Sequence, residues 1–266
     1  MRWTELEETL GIFHRKSTTR QEHLRYDGPH SVDRADPMKE NFLLEISVES
    51  LGAAVAAERA GAARVELCSN LQEGGVTPAP GLLRQVRAAL KIPVFSIIRP
   101  RAGNFVYDES ELTAMTAQIA KAKEIGADGV VLGVLRPDDS VDVPRTKELV
   151  DSADPLPVTF HRAFDHTKDF LNALEDVIAT GARRLLTSGG ADTVPEGLAI
   201  LLQLLEAAAE RIIVMPGRGL NAGNLGAVRR ALPAREFHSG LGSVLPYDNS
   251  DFTRFEAEIR AMLRPT

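Results

Sequence analysis

A single cysteine, Cys68, stands in a chain of 266 residues. That excludes an internal disulfide and any CxxC redox or structural zinc motif, both of which need thiols in pairs. Long apolar runs are also missing. None approaches the roughly 18 residues that cross a bilayer, and the opening stretch MRWTELEETLGIFHRKSTTR has no uninterrupted apolar core of the signal-peptide kind. A membrane partner is therefore not expected, and the cytoplasm is the expected location. The net charge of -6 comes with no stripe of Lys and Arg interleaved with aromatic residues, so nucleic acid is not an expected partner either. What is present is an ordinary globular composition, 44% hydrophobic, long enough to bury one large core.

Residues 1–40 differ from the rest. They are polar, mix both charge signs and hold His14, His23 and His30, half of the six histidines. Such a composition predicts a disordered extension. The three histidines lack the i, i+4 spacing that would present two metal ligands on one helix face, so a metal-binding tail is the weaker reading. Met38 precedes the first strand-like run, and a chain starting there would keep every predicted core element.

Over 41–266 the pattern becomes regular. Short apolar runs recur at 42–47, 64–68, 94–99, 129–133, 158–162, 184–188, 212–216 and 236–240, giving eight strand candidates. Amphipathic stretches such as ELTAMTAQIAKAKEIG and FLNALEDVIATG lie between them, rich in strong helix formers. Three of these end in a similar phrase, AGAARVEL, IGADGVVL and TGARRLLT, where glycine suits a left-handed helix stop before the next strand. Eight strands alternating with helices over this length predict one (β/α)8 TIM barrel. An open doubly wound sheet is the alternative, but no GxGxxG turn follows the first strand.

In such a barrel the chemistry sits at the C-terminal ends of the strands. The two-residue period of a strand then selects the inward side chains. Glu45 and Ser47 share one face of the first strand, and Glu66 and Cys68 one face of the second. Arg99 ends the third, His161 the fifth, and Glu236 and His238 share a face of the eighth. Five strands thus aim ionisable groups at one interior, where stability alone would call for Val, Ile and Leu. Glu45, Glu66, Arg99, His161, Asp165 and His238 are the candidate catalytic residues: a general base, a general acid and an anion clamp. Asp165 is expected to orient His161 through an imidazole N–H bond, and Arg162 to point toward the helix layer. Arg101 is a candidate anion contact as a second guanidinium close to Arg99, and Ser188, Gly189, Gly217, Gly219 and Ser239 are further ones in the LTSGG, PGRGLNAGN and HSGLGS loops, where barrels often hold phosphate. Proton abstraction beside a carbonyl, with the anion held by Arg, is the scheme these groups suit best.

From about Phe42 to Gly240 the chain resembles the CutC family of copper homeostasis proteins. The phrases RVELCSNLQEGGVTP, IIRPRAGNFVYDESEL, LPVTFHRAFD, LLTSGG and EFHSG carry the resemblance, in that order. It implies a TIM barrel, a cytosolic location and a role in copper(I) binding and tolerance, with no secure catalytic activity. It also implies that Glu45, Glu66, Arg99, Arg101, His161, Asp165 and His238 share a polar mouth, and that Cys68 matches a copper-contacting cysteine. His161 or His238 would then complete a Cu(I) site of low coordination number, with Met215 as a further thioether. This chain departs from the family's pattern at Ser47, where relatives often carry a cysteine, and in a shorter segment after the eighth strand. A small molecule or a metal is the expected ligand, and a homo-oligomer stays open.

Overall fold

The computed structural model of the protein describes residues 42–246 and 251–264. The polar extension expected over residues 1–40 lies outside the described residues.

All eight predicted strands form: β1 (Leu43–Val48), β2 (Arg64–Leu67), β3 (Val94–Ile97), β4 (Gly129–Leu132), β5 (Val158–Phe160), β6 (Arg184–Thr187), β7 (Ile213–Pro216) and β8 (Glu236–Ser239). Every ladder is parallel, in the order β7-β6-β5-β4-β3-β2-β1-β8. A parallel bridge between Gly217 and His238 joins β7 to β8 and closes the barrel. Most strands stop a residue or two before the apolar runs do, because the chain bends there into the loops of the mouth.

Eight α-helices alternate with the strands among the described residues: α1 (Leu51–Ala60), α2 (Pro80–Ala89), α3 (Glu109–Ile125), α4 (Val143–Ala153), α5 (Phe170–Ala179), α6 (Leu198–Ala208), α7 (Leu225–Ala231) and α8 (Thr253–Met262). Their ends follow local chemistry. Ser50 caps α1 by accepting from the Ala53 amide, and Asp108 with Glu111 forms a capping box at the start of α3. Gly61, Gly126 and Gly181, the glycines of the recurring phrase, all take positive φ (103°, 91° and 83°) and release the chain toward the next strand. None of the described helices is long and apolar enough to cross a membrane.

The apolar core lies between the sheet and the helix ring. Leu44, Ile46 and Val48 of β1 and Val65 and Leu67 of β2 face it and are fully buried. The opposite faces of the same strands turn into the barrel, and there the side chains are largely ionic. Alternation along the strands thus separates an apolar shell from a polar interior.

Candidate functional site

The polar interior has two levels. The lower one holds Glu45, Arg64, Arg184 and Glu236. Parallel register sets Arg64 beside Glu45, and the Arg64 guanidinium pairs with Glu45 through Nε and with Glu236 through Nη2 at 2.7 Å. Arg184 Nε reaches the same Glu236 oxygen at 2.8 Å. Both guanidinium groups lie over the Phe95 ring, at 4.8 and 5.4 Å. Two cations and two carboxylates therefore neutralise one another, as burial demands.

One link leads upward. Glu45 Oε1 accepts from His238 Nδ1 at 2.7 Å, His238 Nε2 lies 2.9 Å from Ser47 Oγ, and Ser47 Oγ lies 2.7 Å from Glu66 Oε1. All four side chains are at least nine-tenths buried. Burial opposes charge on Glu45, but Arg64 and His238 outweigh it and bring its carboxyl to about 2. Burial raises Glu66 instead, and the Glu45 charge adds to the rise. Burial would lower His238, yet the Glu66 and Glu45 carboxyls push it above its usual value.

The hydrogen bonds allow two proton arrangements. Ser47 has a single hydroxyl proton and two hydrogen-bond neighbours. It either donates to an ionised Glu66 and accepts from a doubly protonated His238, or donates to a neutral His238 and accepts from a protonated Glu66. The two arrangements carry the same number of protons, so a proton can pass between His238 and Glu66 with no change of net charge.

This chain opens into a cavity of about 630 Å³ at the C-terminal ends of the strands. Ser47, Glu66, Arg99, His161 and His238 line it, together with Phe105, Arg162, His166 and the loops 218–221 and 239–243. Ser239 Oγ donates to the Leu220 carbonyl at 2.7 Å and ties those two loops together. The Arg99 guanidinium donates to three carbonyls, of Glu73, Gly75 and Gly103, and stacks on Phe105 at 4.8 Å. Among the described residues no carboxylate pairs with it. His161 accepts from the Ala163 amide at Nδ1, and burial with the nearby Arg99 charge lowers it to about 3.

The candidate residues therefore divide. Glu66, Arg99, His161, His238, Gly219 and Ser239 line the cavity, and Glu45 stands directly beneath it. Asp165 does not orient His161. A 3-10 turn over Arg162–His166 follows β5 at once and carries Asp165 across to β6, where it accepts from the hydroxyls of Thr187 and Ser188 and from the amides of Ser188 and Gly190. The same turn ends the strand alternation, so Arg162 lines the cavity while pairing with Asp165 at 2.8 Å, rather than facing the helices.

The anion contacts divide in the same way. Arg101 is bound to Glu111, Asn104 and the Val106 carbonyl, away from the cavity. Ser188 is held by Asp165 and the Ala191 carbonyl, Gly189 packs on the Gly197 backbone, and Gly217 serves barrel closure. Arg64 and Arg184 escaped the sequence reading, although each starts a strand at even spacing from an inward residue. Phe105 and Arg218 carried no signal, because both sit on loops.

A Cu(I) site needs soft donors. Cys68 is fully buried against Phe95, Ile97 and Val131, donates to the Val48 carbonyl at 3.6 Å and does not line the cavity. Burial and the carboxylates of Glu66 and Glu49 push its thiol well up. Met215 Sδ accepts from Arg64 at 3.3 Å in the lower level. Among the described residues the cavity wall has neither thiol nor thioether. The atoms of Glu45, Glu66 and His238 that lie within 4.8 Å of one another are two hard carboxylates and one borderline imidazole, and the imidazole is already bound to Glu45 and Ser47. The residues present do not fit Cu(I).

Comparison with known proteins agrees with the barrel. A structure assigned as a copper homeostasis protein CutC from Streptococcus agalactiae superposes with a TM-score of 0.71 at 33% identity, covering 74% of this chain and 98% of the other. Phosphoribosylanthranilate isomerase from Thermotoga maritima, at 13% identity and TM-score 0.55 over 84% and 96%, shares the fold alone. A family protein CutC of Chromobacterium violaceum is 49% identical over 74% of this chain and 80% of its own length. A copper homeostasis protein cutC homolog of Mus musculus is 48% identical over 76% and 74%. The model of the CutC family matches residues 42–243, and the chain belongs to that family.

Proposed function

We propose that the barrel mouth is an acid–base active site for a small anionic organic molecule. The observation that carries this reading is the chain Glu45–His238–Ser47–Glu66, which joins a neutralised ionic layer to the cavity and holds a transferable proton. Ser47 occupies Oε1 of Glu66, and the Glu66 side chain lines the cavity. Glu66 can take a proton from a substrate, while His238 supplies one through Ser47. Arg99, Arg162 and Arg218 line the same cavity and favour an anion there. The loops after β7 and β8 form the wall where barrels of this type commonly hold phosphate. We place this chemistry in the cytoplasm, with neither nucleic acid nor a membrane as partner.

The copper reading comes from the names of relatives, and the donor set opposes it. Exposure of the purified protein to a cell extract, followed by mass spectrometry of bound and converted metabolites, tests the choice. The expected result is capture or turnover of a small anion, lost in Glu66→Gln and His238→Ala and kept in Cys68→Ser. Stoichiometric Cu(I) held against a competing chelator, lost in Cys68→Ser and unchanged in the polar variants, would overturn the proposal.

A further inference from the structure

Two buried N–H groups on side chains that line the cavity have no hydrogen-bond partner among the described residues. The first belongs to His161, which is 7% exposed. A backbone amide can only donate, so the bond from Ala163 N requires a bare lone pair on His161 Nδ1. A neutral imidazole carries one proton, and it must then sit on Nε2. That atom is buried without a hydrogen-bond partner. The second belongs to Arg99, 5% exposed, whose Nη atoms are spent on three carbonyls while Nε is buried without a partner. Both groups pack on Phe105, the ring of His161 and the guanidinium carbon of Arg99 each lying 4.8 Å from its centre.

An unsatisfied buried donor costs roughly 1–3 kcal/mol, so each of them calls for an acceptor. Tyr107 Oη, also buried without a partner, lies within reach of the Arg99 guanidinium, whereas His161 Nε2 has no partner among the described residues and its side chain lines the cavity. The ring is also fixed in place: a Cβ at Gly133 would stand 2.7 Å from Nδ1 and 2.8 Å from Cε1, so only glycine leaves it this seat.

We propose that His161, as a neutral Nε2–H donor, binds a substrate carbonyl oxygen, next to a carbon that Glu66 deprotonates. The inference rests on the acid–base reading of the mouth and narrows its substrate to a small anionic molecule bearing a C–H bond beside a carbonyl. The step balances within the site. The C–H bond breaks, its proton goes to Glu66, and its electron pair forms the C=C bond of an enolate. The carbonyl π pair moves to oxygen, where the His161 N–H holds it. Reprotonation from Glu66 returns the site to its first state, and reprotonation from His238 through Ser47 leaves Glu66 protonated and His238 neutral, from which one proton transfer through Ser47 restores it. A donor that stays neutral suits this role, since its proton stabilises charge developing on oxygen without being given up in the ground state.

The test uses oxalate as a planar enolate mimic and inorganic phosphate as a plain anion, titrated calorimetrically into the full chain. Wild-type protein binds both, His161→Phe loses at least about tenfold in oxalate affinity with phosphate unchanged, and His161→Gln, which restores an N–H, recovers part of the loss. In protein labelled with 15N-histidine, the Nε2 signal of His161 is of the protonated type and Nδ1 of the bare type at pH 7. Oxalate affinity untouched by His161→Phe, or a proton on Nδ1, overturns this inference and leaves the acid–base reading standing. Failure of the wild type to bind either probe overturns both.

Discussion

The two levels inside the barrel are built from the same residue types and differ in charge balance. In the lower level each charge has its counter-charge: Arg64 lies between Glu45 and Glu236, and Arg184 completes the set. In the upper level Arg99 rests on carbonyls alone, and His161 Nε2 and Arg99 Nε have no partner. The difference is one of charge, since Arg184 Nη1 in the lower level is also buried without a partner: a neutralised layer fixes geometry, while Arg99 keeps a charge that an anion can meet. The contrast marks the lower level as support and the upper level as the place where a ligand is bound.

Breaking the lower level should have the largest effect on stability. Arg64→Met leaves Glu45 and Glu236 buried with too little compensation, a change that typically costs about 3–5 kcal/mol. Denaturant unfolding should show a loss of that order, much of it recovered when Glu45→Gln is added. A cost below about 1 kcal/mol would mean that the pair is not buried in solution.

The pH dependence of stability sharpens the comparison. His161 stays neutral in the fold down to about 3, while its ordinary value is 6.5. The unfolded chain therefore binds an extra proton between those values, and stability falls as pH drops from about 6.5 toward 3, by up to about 1.4 kcal/mol per pH unit for this one group. Glu45, held at about 2, contributes a further loss from about pH 4.5 downward. His161→Phe should flatten the slope between pH 6.5 and 5 in unfolding titrations. An unchanged slope would put a proton on His161 in the folded state.

A smaller effect is expected at the boundary between wall and ring. Gly133→Ala pushes on the His161 imidazole, and overpacking of this kind costs about 1–3 kcal/mol. Oxalate affinity should drop alongside stability, and a crystal structure of the variant should show the ring displaced. A stable variant with full affinity would show that the seat of the ring is not critical.

The smallest change is expected at Cys68. Serine can keep the bond to the Val48 carbonyl, so Cys68→Ser should cost about 1 kcal/mol and leave anion binding intact. Loss of anion affinity without loss of stability would bring the thiol into the site.

Much of the barrel was legible because its signals are local. The eight runs, the alternation within them and the glycine stops each depend on a few neighbouring residues. The inward turn of Glu45, Glu66, His161 and His238 follows from the same alternation and holds in the structure. Where alternation ended, so did legibility. The 3-10 turn after β5 sends Asp165 to β6 and Arg162 to the cavity, because a helical turn replaces the strand's period of two.

The sequence by itself determined the kind of fold and which faces of the strands are polar. Tertiary structure alone decided who partners whom. Ser47, Glu66 and His238 lie 19 and 191 residues apart along the chain and meet within 2.9 Å. Strand stagger around the barrel sets which side chains share a level, and hydrogen bonds tolerate only a few tenths of an ångström in that stagger. For that reason Arg64 became the keystone of the neutralised level, Ser47 the bridge between acid and base, and Cys68 a packing residue beside a mouth that offers no soft donor among the described residues.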